Sequence, residues 1–436
     1  MQQPFHLMIK PTGATCNLDC TYCYYVNKES QTPPAWRMSD EVLETLIRQY
    51  LAAQPGPEVT FAWQGGEPTL LGVPAFRKIL AVREHYRQPG QRVVNTIQTN
   101  GTLLDEAWAV FLKENHILVG ISLDGPGDLH DQYRVDKGGK TTYARVIQAI
   151  ELLRSHAVEY NILCTVNRAN AEHAERVYVE LIRHGQHLQF IPIVERAGDP
   201  DPAWPAGAMT AWSVDPQAYG RFLSTIFDRW FAHDIGRIHV QLFEGQIGVS
   251  LSQPAGLCVF AETCGDAVVA ERDGSIYSCD HYVYDTFLLG NVRSENVSDL
   301  VAKPVQRHFG NAKRESLPQQ CRSCRHLHRC WGECPKHRFA ETAAGEPGLS
   351  YLCGGYYHFF EHTAARLDAL ATGIGHGIPA WETARRWGTG VSPRAVGPND
   401  PCLCGSGKKR KKCCGSTSFR NPFWSRRFSV ENIARP

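Results

Sequence analysis

No uninterrupted apolar stretch in this 436-residue chain approaches the ~18 residues that cross a bilayer, so a helical membrane span is not expected. The start, Met1-Gln-Gln-Pro-Phe-His-Leu7, lacks a basic segment followed by an apolar one, so no secretory leader is expected either. Repeats at solenoid period are absent. An excess of one charge sign is also missing, since the net charge is only +2, but this conceals an asymmetry. From Val391 onward ten Lys/Arg stand against two Asp/Glu, a local surplus of the kind that seeks nucleic acid, ribosomes or acidic proteins. A hydrophobic content of 43% with 21% charged residues fits a soluble enzyme of two or three domains with a sizeable core.

Cysteine is plentiful, with sixteen in the chain. In a small secreted chain these would form disulfides, but at this length and without a leader they read as metal ligands in a reducing cytoplasm. Low oxygen is favoured as well, because exposed clusters are oxidatively labile. Cys16, Cys20 and Cys23 have the spacing C-x3-C-x2-C. Three such thiolates can hold three irons of a [4Fe–4S] cluster, whereas a fully protein-bound cluster takes four. The next cysteine is Cys164, so one iron is left open for a small molecule. Zinc prefers four ligands in paired C-x2-C groups and fits this triad poorly.

The first half of the chain alternates between short β-rich runs and amphipathic stretches. Strands are expected at His6–Lys10, Val59–Trp63, Val93–Gln98, Leu118–Leu123, Tyr160–Thr165 and Leu188–Val194. A helix should start at Ser39, an N-cap with Asp40 and Glu41 in its first turn, and bury Val42, Leu43, Leu46, Ile47 and Tyr50. Further helices are expected near 74–87, 105–115, 141–157, 171–184 and 215–234. Six βα units imply a parallel sheet with right-handed crossovers, and they are too few for a closed eight-stranded barrel. Polar motifs fall just after the strands, where such folds place their sites: Gly65-Gly66-Glu67-Pro68, Gln98-Thr-Asn100-Gly101, and Ser122 with Asp124. Residues 198–212 read as a linker or long loop, and the region from Cys258 to Cys353 shows little regular periodicity.

The cysteine triad followed by an aromatic resembles the signature of the radical SAM superfamily. That resemblance implies a partial (β/α)6 barrel of α/β class. It also implies that S-adenosylmethionine chelates the open iron and yields a 5′-deoxyadenosyl radical, which abstracts hydrogen from an unactivated carbon. Gly65, Gly66 and Glu67 resemble the family's GGEP motif, which receives the SAM amino group, and the glycines let backbone come close to a ligand. Ser122 and Arg134 match positions that contact the SAM carboxylate or ribose, while Tyr22 matches the aromatic on the adenine side.

Eight more cysteines lie at Cys258, Cys264, Cys279, Cys321, Cys324, Cys330, Cys334 and Cys353. Eight thiolates fill two [4Fe–4S] clusters with no iron left open, an arrangement suited to moving electrons. Their pattern resembles the SPASM domain of peptide-modifying radical SAM enzymes. The family's interleaved topology assigns Cys258, Cys264, Cys279 and Cys334 to one auxiliary cluster, and Cys321, Cys324, Cys330 and Cys353 to the other. With the radical cluster this makes three [4Fe–4S] clusters. Cys279-Asp280-His281-Tyr282 resembles the anaerobic sulfatase-maturating enzymes, and that resemblance covers about residues 5–370. It implies Asp280 as general base, Tyr24 and Gln64 near the substrate side chain, and oxidation of a sulfatase Cys or Ser to Cα-formylglycine. Implied partners are an unfolded sulfatase polypeptide and a flavodoxin- or ferredoxin-type electron donor.

Near the C-terminus, Cys402, Cys404, Cys413 and Cys414 bracket the basic run Lys408–Lys412 and resemble the SEC-C motif. This implies a closed, structural, all-thiolate Zn2+ site with possible secretion or ribosome contact. The expected layout is a barrel and linker over 1–235, SPASM over 236–375, the zinc module over 395–416 and a disordered tail over 417–436. Two other readings stand beside the maturase: a SPASM enzyme forming thioether or carbon–carbon crosslinks, and a metal-binding secretion adaptor.

Overall fold

Alternating β-rich and amphipathic segments fold into six βα units in the computed structural model, which describes residues 4–25, 35–197, 207–387 and the single residue 409. The strands are β1 (His6–Ile9), β2 (Glu58–Trp63), β3 (Arg92–Thr99), β4 (Leu118–Ser122), β5 (Tyr160–Val166) and β6 (His187–Pro192). Each lies within two residues of the expected bounds. The intervening helices are α1 (Asp40–Ala53), α2 (Gly72–Tyr86), α3 (Glu106–Glu114), α4 (Tyr143–Ser155) and α5 (Ala174–His184). At the start of α1 the Ser39 hydroxyl accepts from Val42 N at 3.3 Å, and Asp40 and Glu41 meet the positive end of the helix dipole. Val42, Leu46, Ile47 and Tyr50 face the core, while Leu43 is only partly buried.

Strands β1 to β6 run parallel in sequence order, and a two-residue strand β7 (His239–Val240) extends the β6 edge. Helix α6 (Pro216–Arg229) precedes β7 and α7 (Gln241–Ser250) follows it. The cysteine-rich region continues the same sheet. Its strand β8 (Ala267–Ala270) pairs in parallel with the other edge of β1, with Ile9 opposite Ala270. Strands β9 (Ser275–Tyr277) and β10 (Leu288–Asn291) add on as antiparallel neighbours. Two short helices follow, α8 (Val297–Ala302) and α9 (Pro304–Glu315). The SPASM-like segment is thus joined to the barrel through a shared strand. Strands of three or four residues carry too few alternations to be read from periodicity, but β8 hides the edge β1 would otherwise expose.

Helices and sheet enclose one continuous apolar core in which Phe61, Trp63, Phe76 and Phe111 are nearly or fully buried. Each such side chain contributes about 1.5–3 kcal/mol through burial. The Trp63 indole N–H is satisfied by Asn95 Oδ1 at 3.1 Å. The long helix α10 (Cys353–Gly375), then α11 (Ala380–Arg386), close the described chain. α10 packs on α6 through glycines that allow backbone to touch backbone: a Cβ on Gly355 would lie 2.1 Å from Pro216 O. These glycines obscure α10 in the sequence, although Tyr356, Phe359, Phe360, Thr363, Leu367 and Leu370 line one face.

No helix among the described residues is long and apolar enough to cross a membrane. Cys402, Cys404, Cys413 and Cys414, the 417–436 tail and the linker residues 198–206 lie outside the described residues.

Because α10 begins at Cys353, its seat on α6 also positions a candidate ligand. Gly355→Ala is expected to cost about 1–3 kcal/mol in anaerobic denaturant unfolding, through forced separation of α10 from Pro216. Unchanged stability would show that the two helices slide apart freely.

Candidate active site

All the polar motifs gather at the carboxyl ends of the parallel strands. The cysteine triad occupies the loop after β1, which folds on itself through Gly13 N to Lys10 O at 3.0 Å, Thr15 N to Thr12 O at 3.0 Å and Cys23 N to Cys20 O at 3.0 Å. The segment after β4 holds it from outside, with Asp19 N donating to Val135 O at 2.9 Å and Thr21 N to Tyr133 O at 3.1 Å. The triad thiols are partly exposed and unpaired as disulfides. Burial pushes Cys16 up to about 11 and Cys20 up to about 12, with neighbouring thiols adding to the rise. Such thiols become thiolates when a cation displaces their protons.

The loop after β2 lies directly on this segment. Gly66 N donates to Gly13 O at 2.7 Å and Glu67 N to Thr15 O at 3.0 Å. A Cβ on Gly66 would stand 2.2 Å from Thr15 O, and Gly65 has a φ of +125°. The glycines are therefore required by the protein's own loop-on-loop packing. The fully buried carboxylate of Glu67 accepts from Thr69 N at 3.0 Å, the Thr69 hydroxyl at 2.6 Å, the Thr99 hydroxyl at 2.7 Å and Asn100 N at 2.8 Å. It straps the β2 and β3 loops together. Gln64, half-buried, donates its backbone N–H to Ile9 O at 2.9 Å. Ser122 Oγ accepts from Gln98 Nε2 at 3.2 Å.

Arg134 and Tyr22 meet at Asp124. Arg134 Nε donates to Asp124 Oδ2 at 2.7 Å, and the Tyr22 hydroxyl donates to the same oxygen. Thr165 N adds a bond to Asp124 Oδ1 at 2.9 Å. Burial opposes ionisation of Asp124, but the Arg134 guanidinium outweighs it and holds the carboxyl below its ordinary range. Close by, Thr12 Oγ1, Thr165 Oγ1 and Asn167 Nδ2 are buried without hydrogen-bond partners. Unmet polar groups at one barrel mouth, beside three thiols, fit a polar ligand bound over the triad.

Across the mouth, Asp280 joins the two cysteine fields. The Tyr24 hydroxyl donates to its Oδ2 at 2.8 Å and the Cys279 thiol to its Oδ1 at 3.5 Å. The His281 ring stands edge-on to Tyr24 with centroids 5.3 Å apart, and its Nδ1 lies 3.6 Å from Cys334 Sγ. Burial would raise Asp280, but His281, the Lys10 ammonium and the Tyr24 and Cys279 hydrogen bonds hold it well below the usual carboxylate range. Burial pushes His281 down to about 4. Lys10 is the second positive group set against the Asp280 carboxylate.

The eight later cysteines fall into two electrostatic neighbourhoods. Cys258 feels Cys264; Cys279 feels Cys334 and Cys258; Cys334 feels Cys258 and Cys264. Separately, Cys330 feels Cys353 and Cys321, and Cys353 feels Cys321 and Cys324. The second set lines a cavity of about 290 Å³. Among the described residues no three His, Cys, Asp or Glu side chains are close enough to hold a single metal ion. The four thiols of the Cys321 set converge on one void, as the ligands of a single centre would.

The sequence reading missed Lys10, Glu271 and Lys336, and it noted Asp124 only as a strand end. Lys336 Nζ stands 4.7 Å from the Tyr24 ring centroid and pairs with Glu195 at 2.5 Å. A single signal was available: a lysine directly after the apolar strand His-Leu-Met-Ile.

Three family models match the chain: the radical SAM superfamily over residues 11–180, an iron–sulfur cluster-binding domain over 261–325 and the SEC-C motif over 399–416. The chain is 42% identical over 381 residues to the serine-type anaerobic sulfatase-maturating enzyme of Bacteroides thetaiotaomicron, covering 84% of this chain and 91% of that one. It is 35% identical to the cysteine-type enzyme of Clostridium perfringens, covering 85% and 99%. The solved structure of native anSMEcpe with bound AdoMet and Cp18Cys peptide superposes with a TM-score of 0.77 at 34% identity, covering 85% of this chain and all of that one. Streptococcus suis SuiB, at 16% identity and a TM-score of 0.56, shares the fold.

Glu67→Gln separates the two roles of that side chain. The amide oxygen can keep the three donors at Oε1, but an amide nitrogen in place of Oε2 cannot accept from Asn100 N, so a loss of about 1–3 kcal/mol in stability is expected. The SAM dissociation constant of the folded fraction should stay within about threefold by equilibrium dialysis. Lost binding at unchanged stability would return the carboxylate to the ligand.

Proposed function

This chain belongs to the anaerobic sulfatase-maturating enzymes of the radical SAM superfamily, and from that premise we propose that it oxidises a Cys or Ser of an unfolded sulfatase polypeptide to Cα-formylglycine. The observation that carries the reading is the position of Asp280, hydrogen-bonded at once to Tyr24 of the radical-triad loop and to Cys279 of the auxiliary set. When bound, S-adenosylmethionine and the clusters supply a hydrogen-abstracting radical at the triad and an electron sink at the auxiliary cysteines.

The chain's own residues do the rest. Cys16, Cys20 and Cys23 hold the radical cluster and leave one iron to the cosubstrate. Tyr22, fixed by Asp124 and Arg134, walls the adenine side, while Ser122 and the backbone of Gly65 and Gly66 line the remainder. Tyr24 and Gln64 face the target side chain. The carboxylate of Asp280, kept ionised by its neighbours, takes the proton from the target thiol or hydroxyl. Cys258, Cys264, Cys279 and Cys334 would hold an auxiliary cluster, which would supply an electron acceptor, and Cys279 touches the Asp280 carboxylate. Cys321, Cys324, Cys330 and Cys353 hold a second one.

In this reading the enzyme carries three [4Fe–4S] clusters and works in the cytoplasm, reduced by a flavodoxin- or ferredoxin-type donor. Cys402, Cys404, Cys413 and Cys414 close a Zn2+ site whose basic surface serves contact with secretion machinery or the ribosome.

Anaerobic incubation with SAM, dithionite and peptides carrying C-x-P-x-R or S-x-P-x-R tests the reaction by mass spectrometry. The Cys peptide should exchange sulfur for oxygen and lose two hydrogens, and the Ser peptide should lose two hydrogens. Peptide crosslinked or untouched while SAM is consumed would overturn the assignment. Asp280→Asn is expected to leave SAM cleavage within about twofold and cut aldehyde yield by about 10²-fold or more. Equal loss of both would remove Asp280 as base.

A further inference from the structure

Lys10 follows β1 and is only 2% exposed, yet its ammonium has neither a hydrogen bond nor an ion pair to any of the described residues. It sits 3.4 Å from the centroid of the Tyr25 ring and 5.9 Å from that of Tyr24. The backbone explains why it stands there. Lys10 N donates to Ala270 O at 2.9 Å, continuing the β1–β8 pairing, so Lys10 and Glu271 leave the sheet side by side. The Tyr25 hydroxyl donates to Glu271, and the Tyr24 hydroxyl to Asp280. The groups whose charge Lys10 feels are Asp280, Glu271, Cys279 and Cys23. Two of these are thiols, one from the radical triad and one from the first auxiliary set. The Cys321 set lines a separate cavity whose walls include none of Lys10, Tyr24 and Tyr25.

A buried ammonium without an acceptor is costly, and a neutral side chain would fill the same volume at less expense. The Tyr25 face offsets part of this. Lys336, the other cation near Tyr24, is neutralised by direct contact with Glu195. Lys10 faces the carboxyl groups of Asp280 and Glu271 without a hydrogen bond to either, and so stands as a cation held between two sets of thiols.

We propose that Lys10 is the fixed charge that raises the reduction potentials of the clusters at Cys16/Cys20/Cys23 and at Cys258/Cys264/Cys279/Cys334, while leaving the one at Cys321/Cys324/Cys330/Cys353 unaffected. Reduction adds negative charge to a cluster, and a buried cation nearby stabilises it with little screening by salt. The oxidation balances as one Cβ hydrogen atom to the adenosyl radical, one heteroatom proton to Asp280 and one electron to the adjacent oxidised cluster. Lys10 touches none of the reacting atoms. It makes that adjacent cluster the favoured first acceptor, and it makes the radical cluster easier for an external donor to fill.

The inference rests on the reading of these cysteines as cluster ligands, so the test begins with iron and sulfide content and EPR of the reconstituted wild-type protein. Failure there would sink that reading, whatever Lys10 does. Potentiometric EPR of Lys10→Met and Lys10→Gln then follows the signal perturbed by SAM, which is the radical cluster, and the two signals that are not. The SAM-sensitive signal and one auxiliary signal should become harder to reduce by about tenfold in the reduction equilibrium, or 59 mV for a one-electron couple, with the other auxiliary signal unmoved. Lys10→Arg should hold all three near wild type. Uniform shifts, or none, would overturn the proposal. If both neutral variants lose iron while Lys10→Arg keeps iron and potentials, the charge itself is what the clusters require, and the proposal stands. If Lys10→Arg loses iron as well, the residue serves packing alone and the proposal falls.

Discussion

Strand β1 pairs in parallel with β2 on one side and β8 on the other, and this double pairing is the constraint from which the site follows. The first pairing sets the loop after β1 against the loop after β2, close enough that Gly66 has no room for a side chain. The second brings Lys10 beside Glu271 and carries the chain, through one hairpin turn, to Cys279 and Asp280. One four-residue strand thereby registers the Cys16/Cys20/Cys23 loop against Asp280 and Cys279. A slip of one residue in either pairing would turn every side chain of β1 to the opposite face and separate these groups.

The two sides of the mouth solve the problem of buried charge differently. Under the triad, Asp124 is matched by a directly bonded guanidinium and a tyrosine hydroxyl, the arrangement expected of a rigid wall. Across the mouth, Asp280 is half-buried and, among the described residues, hydrogen-bonded only by a tyrosine and a thiol, with Lys10 facing it at a distance. A carboxylate held ionised without a contacting cation keeps lone pairs available to an incoming donor. The same contrast separates Lys336, bound to Glu195, from Lys10.

The cysteines carry a further consequence. Burial raises their pKa values in all three sets, with Cys16, Cys258 and Cys353 pushed up to about 11 and Cys330 to about 12. Without metal these four thiols stay protonated and neutral, so they add no unscreened negative charge to the interior of the apo chain. Metal loading then couples proton release to the ordering of these loops.

Much of the architecture was legible in the chain itself. The six barrel strands, the Ser39 cap, the spacing of Cys16, Cys20 and Cys23, and the count of eight later thiols each depend on residues close in sequence, where periodicity and ligand spacing act directly. The tertiary structure decided what depends on contacts between distant segments. It extended the sheet through β8, paired Tyr24 with Asp280 across 256 positions, and made Glu67 a strap between the β2 and β3 loops. It also brought out Lys10, an ordinary lysine in the sequence, whose charge acquires meaning only from what the β1–β8 seam gathers around it. Local chemistry is written in spacing, whereas electrostatics at a buried site is set by which strands pair.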